Sequence, residues 1–202
     1  QNIEIKNELQ GQRIRISREL HDNIGSHLTF LISSIDNLSF KEQSLIKKEK
    51  MQKISKFGKQ TMNELRGTIW AIKNESTSLK ELYYKVLDLK KNVESNLVII
   101  NNIVCDKQLS AKQLLNLYRI IQEGIQNASK YANANIIEVR FLSTENEIKI
   151  IINDNGNGFK TMDFYKSNGI NNMRYRSESI NAIFSIESII NERTTIVCSL
   201  PL

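Results

Sequence analysis

A histidine followed directly by an aspartate, His21 and Asp22, is a pair of side chains that suits covalent chemistry. A neutral imidazole is a competent nucleophile near pH 7, and an adjacent carboxylate can take its proton or fix its tautomer. The surrounding apolar residues recur at helical spacing, as a stripe of Leu20, Ile24, Leu28, Leu31, Ile35 and Leu38. His21 is therefore predicted to lie on the shoulder of a buried helix face, where a second group can reach it. On its own, such a pair also fits a solvated helix surface.

Composition and charge limit the classes to which the chain can belong. The 202 residues are 40% hydrophobic and 25% charged, which is ordinary for a globular chain of one or two domains. Its net charge of +6 is spread among acidic residues without a long basic run, which argues against direct nucleic-acid binding. Cys105 and Cys198 stand apart in apolar segments and are expected to be reduced core residues. No apolar stretch reaches the ~18 residues of a membrane span.

Residues 1–74 carry helical periodicity and contain no proline. We expect one helix from Ile3 to Phe40, a polar turn, and a second helix from Leu45 to Ile72. The second helix has its own apolar stripe, formed by Ile54, Phe57, Met62, Leu65, Ile69 and Ile72. A hairpin of this kind buries too little by itself, so two copies are expected to form a dimeric four-helix bundle. The polar segment from Asn74 to Ser78 is interpreted as a hinge.

Residues 75–202 alternate between helical and extended patterns. The spacing predicts helices at Leu79–Val93, Ser110–Tyr131 and Ile170–Ile180, and strands at Leu97–Val104, Ile136–Leu142, Glu147–Asn153, Phe184–Ile190 and Thr194–Leu200. This order indicates an α/β sandwich with helices on one face of a mixed sheet. The chain as a whole is therefore predicted to be α+β.

The long helix predicted at Ser110–Tyr131 carries a second group of polar side chains. Its buried stripe is expected to consist of Leu114, Leu117, Tyr118, Ile121, Ile125 and Ala128. Glu123, Asn127 and Lys130 then lie together on the opposite side. A solvated face would explain these three residues equally well.

A further motif, DNGNGF, follows an apolar strand and places Asp154 before Gly156 and Gly158. A carboxylate can accept a hydrogen bond from a purine amino group, and glycines at alternate positions let the backbone approach the ring. The motif alone is weak evidence, because turns that combine Asn or Asp with Gly are common.

Taken in order, four segments resemble the motifs of sensor histidine kinases of two-component systems. RISRELHDNIG is similar to the H box of the class in which aspartate follows the phospho-accepting histidine, as in nitrate-sensing and DesK-like kinases. YRIIQEGIQNASKYANA resembles the N box, DNGNGF the G1 box and NGINNMRYR the G2 box of the ATP-binding domain. The resemblance covers almost the whole chain. It implies a dimerisation and histidine phosphotransfer hairpin at 1–74 and a catalytic ATP-binding domain of the Bergerat (GHKL-like) fold at 75–202.

The resemblance also implies roles for the residues that match these motifs. His21 would accept the phosphoryl group, and Asp22 would activate or orient it. Asn127 would ligate Mg²⁺, whose charge offsets that of the triphosphate, and Glu123 would hold the water shell of the metal.

The other matching residues would bind ATP. Lys130 would reach the phosphates, and Asp154 would receive the adenine amino group. Gly156 and Gly158 would allow close approach to the ring. Thr195, on the last strand, would lie beside the adenine.

The helix that begins near Gly169 would cradle phosphate with backbone N–H groups.

Three positions depart from the family pattern. Ser26 replaces a glutamine that is usual in members that also dephosphorylate their regulator, which leaves phosphatase activity open. Ser167 and Arg193 replace common glycines, and the segment from Phe159 to Asn168 is a short nucleotide lid. His27, next to Ser26, is expected to be a packing residue.

The activity implied by the resemblance is autophosphorylation of His21 from MgATP, followed by phosphoryl transfer to an aspartate on the receiver domain of a response regulator. Such a core would lie in the cytoplasm, in a parent protein anchored in the membrane by segments upstream. Two alternatives stay open. The second half alone would suit a GHKL-type ATPase, and the whole chain would suit a non-catalytic dimerisation module that binds nucleotide.

Overall fold

A computed structural model describes residues 2–73, 76–93, 96–159 and 168–202. The chain divides into two compact units, Gln1–Glu75 and Ser76–Leu202. The first unit is helical and the second combines helices with a mixed sheet, so the predicted fold class is confirmed. None of the helices among the described residues is both long enough and apolar enough to cross a membrane.

The first unit is a hairpin of two long helical runs, as the sequence predicts. The first run consists of α1 (Asn2–Glu19), a π-helical turn (Leu20–Gly25) and α2 (Ser26–Lys41), and the second is α3 (Leu45–Lys73). The two runs approach closely at Gly58, where a Cβ atom would lie 2.8 Å from Cγ1 of Ile32. An ion pair of 2.9 Å between Lys59 and Asp36 joins the runs nearby.

The prediction of regular α-helix was wrong for Leu20–Gly25, which forms π-helix around His21. Hydroxyl groups next to this turn bond to its carbonyls. Ser26 Oγ donates to the carbonyl oxygens of Asp22 and Asn23, and Thr29 Oγ1 donates to that of Gly25 at 2.8 Å. Side-chain hydroxyls that bond to backbone carbonyls in this way compete with the regular helical pattern.

The second unit is built on a five-stranded sheet of β2 (Asn96–Ile103), β4 (Ile136–Ser143), β5 (Glu147–Asp154), β6 (Ile183–Ile189) and β7 (Arg193–Pro201), with a separate short pair of β1 (Ser76–Ser78) and β3 (Gln108–Ser110). The order of the strands in the sheet is β2-β4-β5-β7-β6. β2 and β4 are parallel, and the other neighbours are antiparallel. The mixed sheet is as predicted, and β4 and β5 form an antiparallel hairpin within it.

The helices of this unit pack on one face of the sheet. They are α4 (Leu79–Leu87), α5 (Ala111–Lys130) and α6 (Asn168–Glu178). α5 begins at a capping box, in which Ser110 Oγ accepts from Gln113 N and Gln113 Oε1 accepts from Ser110 N at 2.9 Å. The predicted apolar stripe of α5 is buried throughout. At Gly124 a Cβ atom would lie 2.7 Å from Cδ1 of Ile152, so α5 lies directly on β5.

Two local predictions need correction. Residues 74 and 75 of the predicted hinge lie outside the described residues, but Ser76–Ser78 form β1, which pairs with β3. The helix predicted to reach Val93 ends as α-helix at Leu87 and continues as a 3₁₀ turn, Asp88–Asn92. Ser78 caps the N-terminus of this helix, because its Oγ accepts from Glu81 N at 3.3 Å.

Candidate functional site

The π-helical turn of the first unit holds the histidine and aspartate side chains side by side. His21 Nδ1 lies 3.0 Å from Asp22 Oδ1, and the two side chains are 69% and 63% exposed. An ionised carboxylate only accepts hydrogen bonds, so the imidazole donates from Nδ1. This tautomer leaves the Nε2 lone pair available to an electrophile.

The second unit contains a cavity of about 490 Å³ against α5, α6 and the end of the sheet. Its polar lining comes from α5 and β7, and its apolar lining from α6 and the last two strands. The lining residues are Glu123, Asn127, Tyr131, Ala132, Gly158, Phe159, Gly169, Ile170, Met173, Ile186, Thr194 and Ile196. A cavity of this size, apolar with a few polar groups, is typical of a site for a small ligand.

Glu123 and Asn127 lie one turn apart on α5 and face the beginning of α6. A Cβ atom on Gly169 would overlap the Glu123 carboxylate and lie 3.4 Å from Asn127 Nδ2. The backbone at the N-terminus of α6 therefore reaches these side chains only because residue 169 has no side chain. A carboxylate and an amide oxygen are the donors that suit Mg²⁺, which takes its other ligands from water and phosphate. The residues present fit that metal.

The loop after β5 is held between α5 and the β6–β7 hairpin. Asn157 N donates to the carbonyl oxygen of Ala132 at 2.7 Å, and a Cβ atom on Gly156 would overlap that carbonyl group. Gly158 has a φ of +55°, and a Cβ atom there would overlap the carbonyl oxygen of Ile189. Both glycines are therefore required by the backbone of this loop.

Asp154 closes β5 and is 8% exposed. Its carboxylate accepts from Gly156 N at 2.9 Å. Burial raises the pKa of the Asp154 carboxyl, and the hydrogen bond from Gly156 partly opposes that rise. Asp154 is in register with Thr194 of β7, which lines the cavity. Thr194 Oγ1 lies 3.0 Å from Ser188 Oγ.

The threonine at the cavity is Thr194, one residue before the predicted Thr195. Along β7, Thr194 and Ile196 are buried and line the cavity, whereas Thr195 points to the opposite face and is only half-buried. Because side chains alternate along a strand, a shift of one residue moves a side chain to the other face of the sheet.

Apart from Thr195, the predicted residues separate into three groups. Glu123, Asn127, Gly158 and Gly169 line the cavity, and Asp154 and Gly156 adjoin it through the register and loop contacts above. Lys130 is exposed at the end of α5 and is not among the described lining residues. His21 and Asp22 belong to the other unit.

Sequence reasoning missed Tyr131, Phe159, Met173 and the two isoleucines of the last strands. Tyr131 is 77% exposed and follows Glu123 and Asn127 at steps of four residues. That helical spacing was sufficient to place its ring on the same side of α5. The apolar residues from the last strands and α6 are brought to the cavity by tertiary packing, which local spacing does not report.

The positions that depart from the family pattern differ in their surroundings. Ser26 Oγ is engaged with two backbone carbonyls of the π-helical turn. Arg193 begins β7 and forms an exposed ion pair of 3.8 Å with Glu187. Ser167 and most of the predicted short lid, 160–167, lie outside the described residues.

Comparison with known proteins gives a consistent family. Residues 12–77 match the model of the histidine kinase family. Sensor protein VraS of Staphylococcus epidermidis is 29% identical over 100% of this chain and 58% of its own length. Oxygen sensor histidine kinase NreB of Staphylococcus carnosus is 28% identical over 96% of this chain and 57% of its own length. The chain thus spans little more than half the length of these relatives.

Among solved structures, the ATP binding domain of PrrB from Mycobacterium tuberculosis matches with a TM-score of 0.54 at 16% identity. The match covers 62% of this chain and 95% of that domain, and it shows that the fold is shared. The family model, the relatives and the fold agree with the H, N, G1 and G2 motifs. These comparisons support a sensor histidine kinase catalytic core, with the histidine kinase family match at residues 12–77.

Proposed function

We propose that this chain is an ATP-dependent protein-histidine kinase that phosphorylates His21 and passes the phosphoryl group to an aspartate on a response-regulator receiver domain. The observation that carries this proposal is the occurrence, in one chain, of an exposed His21–Asp22 pair and of a cavity bearing Glu123, Asn127 and Gly169. The names of the relatives, a sensor protein and an oxygen sensor histidine kinase, support the same activity.

Different residues of the cavity lining suit the purine and the phosphates of ATP. The purine would lie among Ile186, Ile196 and Met173, with its amino group donating to Asp154, and Tyr131 is close enough to the mouth to cover a planar ring. The adenine contact predicted for Thr195 would instead come from Thr194. The phosphates would face Asn127 and the N-terminus of α6 at Gly169, since the positive end of a helix dipole favours anions.

Glu123 and Asn127 would hold Mg²⁺ through oxygen ligands, and the ion, when bound, neutralises part of the triphosphate charge. Lys130 would act as a longer-range cation for the phosphates.

The chemical step requires little of the protein beyond positioning. The Nε2 lone pair of His21 forms the new N–P bond, and the bond from the γ-phosphorus to the β–γ bridging oxygen breaks. The leaving ADP takes that electron pair. Asp22 holds the Nδ1 proton and offsets the positive charge that develops on the ring.

We also propose that the chain is a homodimer. Ile24, Leu31 and Leu38 recur every seven residues and are 50%, 54% and 57% exposed in the single chain, and Phe57 of α3 is 70% exposed. Apolar faces of this extent are normally covered, and the same faces of a second copy would complete a four-helix bundle.

Phosphatase activity is expected to be weak, because the Ser26 hydroxyl already donates to backbone carbonyls and has less reach than a glutamine amide. Since the proposed substrate is ATP, we place this core in the cytoplasm, with any membrane anchor belonging to other parts of the parent protein.

The test is incubation of the chain with γ-labelled ATP and Mg²⁺, beside His21→Gln and Asn127→Ala, scoring label that survives alkali but not acid. We expect label in the wild type and none in either variant. Release of inorganic phosphate that persists in His21→Gln would instead identify an ATPase. Nucleotide binding with neither label nor phosphate release would identify a non-catalytic module.

A further inference from the structure

The helix that carries His21 also carries a groove that the chemistry proposed above does not use. This groove, of about 480 Å³, follows one face of α1 into the π-helical turn. Arg15, Arg18, Glu19 and Asp22 line it, and they recur at the three- and four-residue steps of one helix face. The carboxylate at the end of the groove is the one that bonds to the imidazole of His21.

The two arginines of the groove are available to an anion. Both are exposed, and neither forms an ion pair or hydrogen bond with another residue in the part of the chain that the structure describes. Glu19 contributes the opposite charge to the same face, so the groove is not uniformly basic. Arg18 precedes His21 by three residues and shares the groove with Asp22, the residue that contacts the His21 imidazole. A guanidinium on that position can reach a group attached to the imidazole.

Phosphorylation of His21 would add negative charge that these two arginines can offset. A phosphoryl group on Nε2 carries up to two negative charges, and Asp22 contacts the other ring nitrogen of the same imidazole. The like charges on the two sides of the ring repel, and the repulsion is reduced if a cation lies beside them. Arginine suits this purpose because its planar fork of donors bonds two phosphate oxygens at once.

We propose that Arg15 and Arg18 form a phosphate-binding site on the hairpin itself, which holds the phosphoryl group once it is attached to His21. This inference rests on the proposed function, since it assumes that His21 becomes phosphorylated. It adds two positioning residues that act on the phosphoryl group after it has left the nucleotide.

The test attaches the phosphoryl group without ATP, by treating the whole chain with phosphoramidate, which phosphorylates exposed histidines directly. His27 is exposed, does not line the groove, and serves as the internal control. The pH at which each phosphohistidine takes up a proton is read from its ³¹P signal. Neighbouring cations favour the dianion, so in Arg15→Gln/Arg18→Gln the midpoint for His21 is expected to rise by about one pH unit. The midpoint for His27 is expected to stay unchanged.

Two further comparisons make the result decisive. Lys53→Gln removes an exposed positive charge elsewhere on the hairpin and should leave both midpoints as in the wild type. Arg18→Lys in the Arg15→Gln background should reverse part of the rise in the His21 midpoint. Lysine returns the positive charge but not the paired donors of the guanidinium. If the double variant shifted the midpoints of His21 and His27 equally, or left that of His21 unchanged, the proposed phosphate-binding site would be wrong.

A parallel reaction with γ-labelled ATP separates this inference from the proposed function. If phosphoramidate reveals the arginine-dependent shift but ATP never labels His21, the phosphate site stands and the kinase proposal fails. If ATP labels His21 and the double variant shows no shift, the kinase proposal stands and the site fails.

Discussion

The hydroxyls of Ser188 and Thr194 tie the loop after β5 to the β6–β7 hairpin. Ser188 Oγ accepts from Phe159 N at 2.9 Å and lies 3.0 Å from Thr194 Oγ1. Valine has the shape of threonine without its hydroxyl. We therefore expect Thr194→Val to weaken ATP binding by about threefold to tenfold, because the variant loses the hydroxyl that is proposed to contact the adenine. Titration with a fluorescent ATP analogue measures the affinity.

Thr195→Val is the matched control, because the side chain of Thr195 lies on the other face of β7. Its affinity for the analogue should equal that of the wild type. If only Thr195→Val lowered the affinity for the analogue, Thr195 rather than Thr194 would contact the adenine.

The buried carboxyl of Asp154 is expected to lower the stability of its unit at neutral pH. Because burial raises its pKa, its contribution to stability is fully present below the unfolded pKa and is lost as the pH rises through the folded pKa. Asp154→Asn should therefore raise the free energy of unfolding at pH 7, measured in urea. The same variant should bind ATP about tenfold or more weakly, since a charged acceptor is lost.

Glu145→Gln, an exposed carboxylate in the β4–β5 turn, is the control for this change and should alter neither property. If Asp154→Asn were less stable than the wild type at pH 7 and equally stable at pH 4, the carboxylate would be a net stabilising group. Folding would then lower the pKa of Asp154 rather than raise it.

Among the helices, α5 depends most clearly on its first turn. Ser110 and Gln113 satisfy two N–H groups that an α-helix otherwise leaves without partners. Ser110→Ala should cost about 1 kcal/mol in the free energy of unfolding of the second unit. Ser185→Ala, on an exposed position of β6, should change it by less than about 0.5 kcal/mol. Equal effects in urea unfolding would show that the cap does not stabilise α5.

The long elements were predictable because their apolar residues repeat over many positions. The stripe of α5 repeats over several turns, and β4 and β5 alternate buried residues along their lengths. β1 and β3 have three residues each, too few for a repeat, and their pairing depends on partners distant in sequence. The apolar residues of the π-helical turn, Leu20 and Ile24, keep the spacing of the helix around it. Its hydrogen-bond pattern is therefore invisible in the spacing of apolar residues.

The candidate site was predictable where a motif fixes a residue type and not where register decides. Glu123, Asn127 and Gly169 have chemistry that few other residues supply, and all three line the cavity. Thr194 and Thr195 are chemically identical neighbours, so only the alternation of β7 distinguishes them. Lys130 has a long side chain at a helix end, where sequence does not fix its direction.

For the molecule as a whole, the apolar face of the hairpin predicts assembly. Leu31 is 54% exposed in the single chain, so Leu31→Glu should leave the hairpin folded while placing a charge at the proposed interface. We expect analytical ultracentrifugation to show a dimer for the wild type and a monomer for this variant. Asn37→Glu, an exposed polar position on the same helix, should stay dimeric. A monomeric wild type would contradict the bundle.

The π-helical turn has a mechanical consequence for the residue that it contains. A π turn accommodates an additional residue relative to an α turn, so α2 is offset from α1 by roughly 100° of rotation compared with an uninterrupted α-helix. Conversion of Leu20–Gly25 to α-helix would exchange one set of backbone hydrogen bonds for another while the helical run stays continuous. A torque applied to α1 would thereby turn the imidazole of His21 about the helix axis while α2 keeps its contacts with α3.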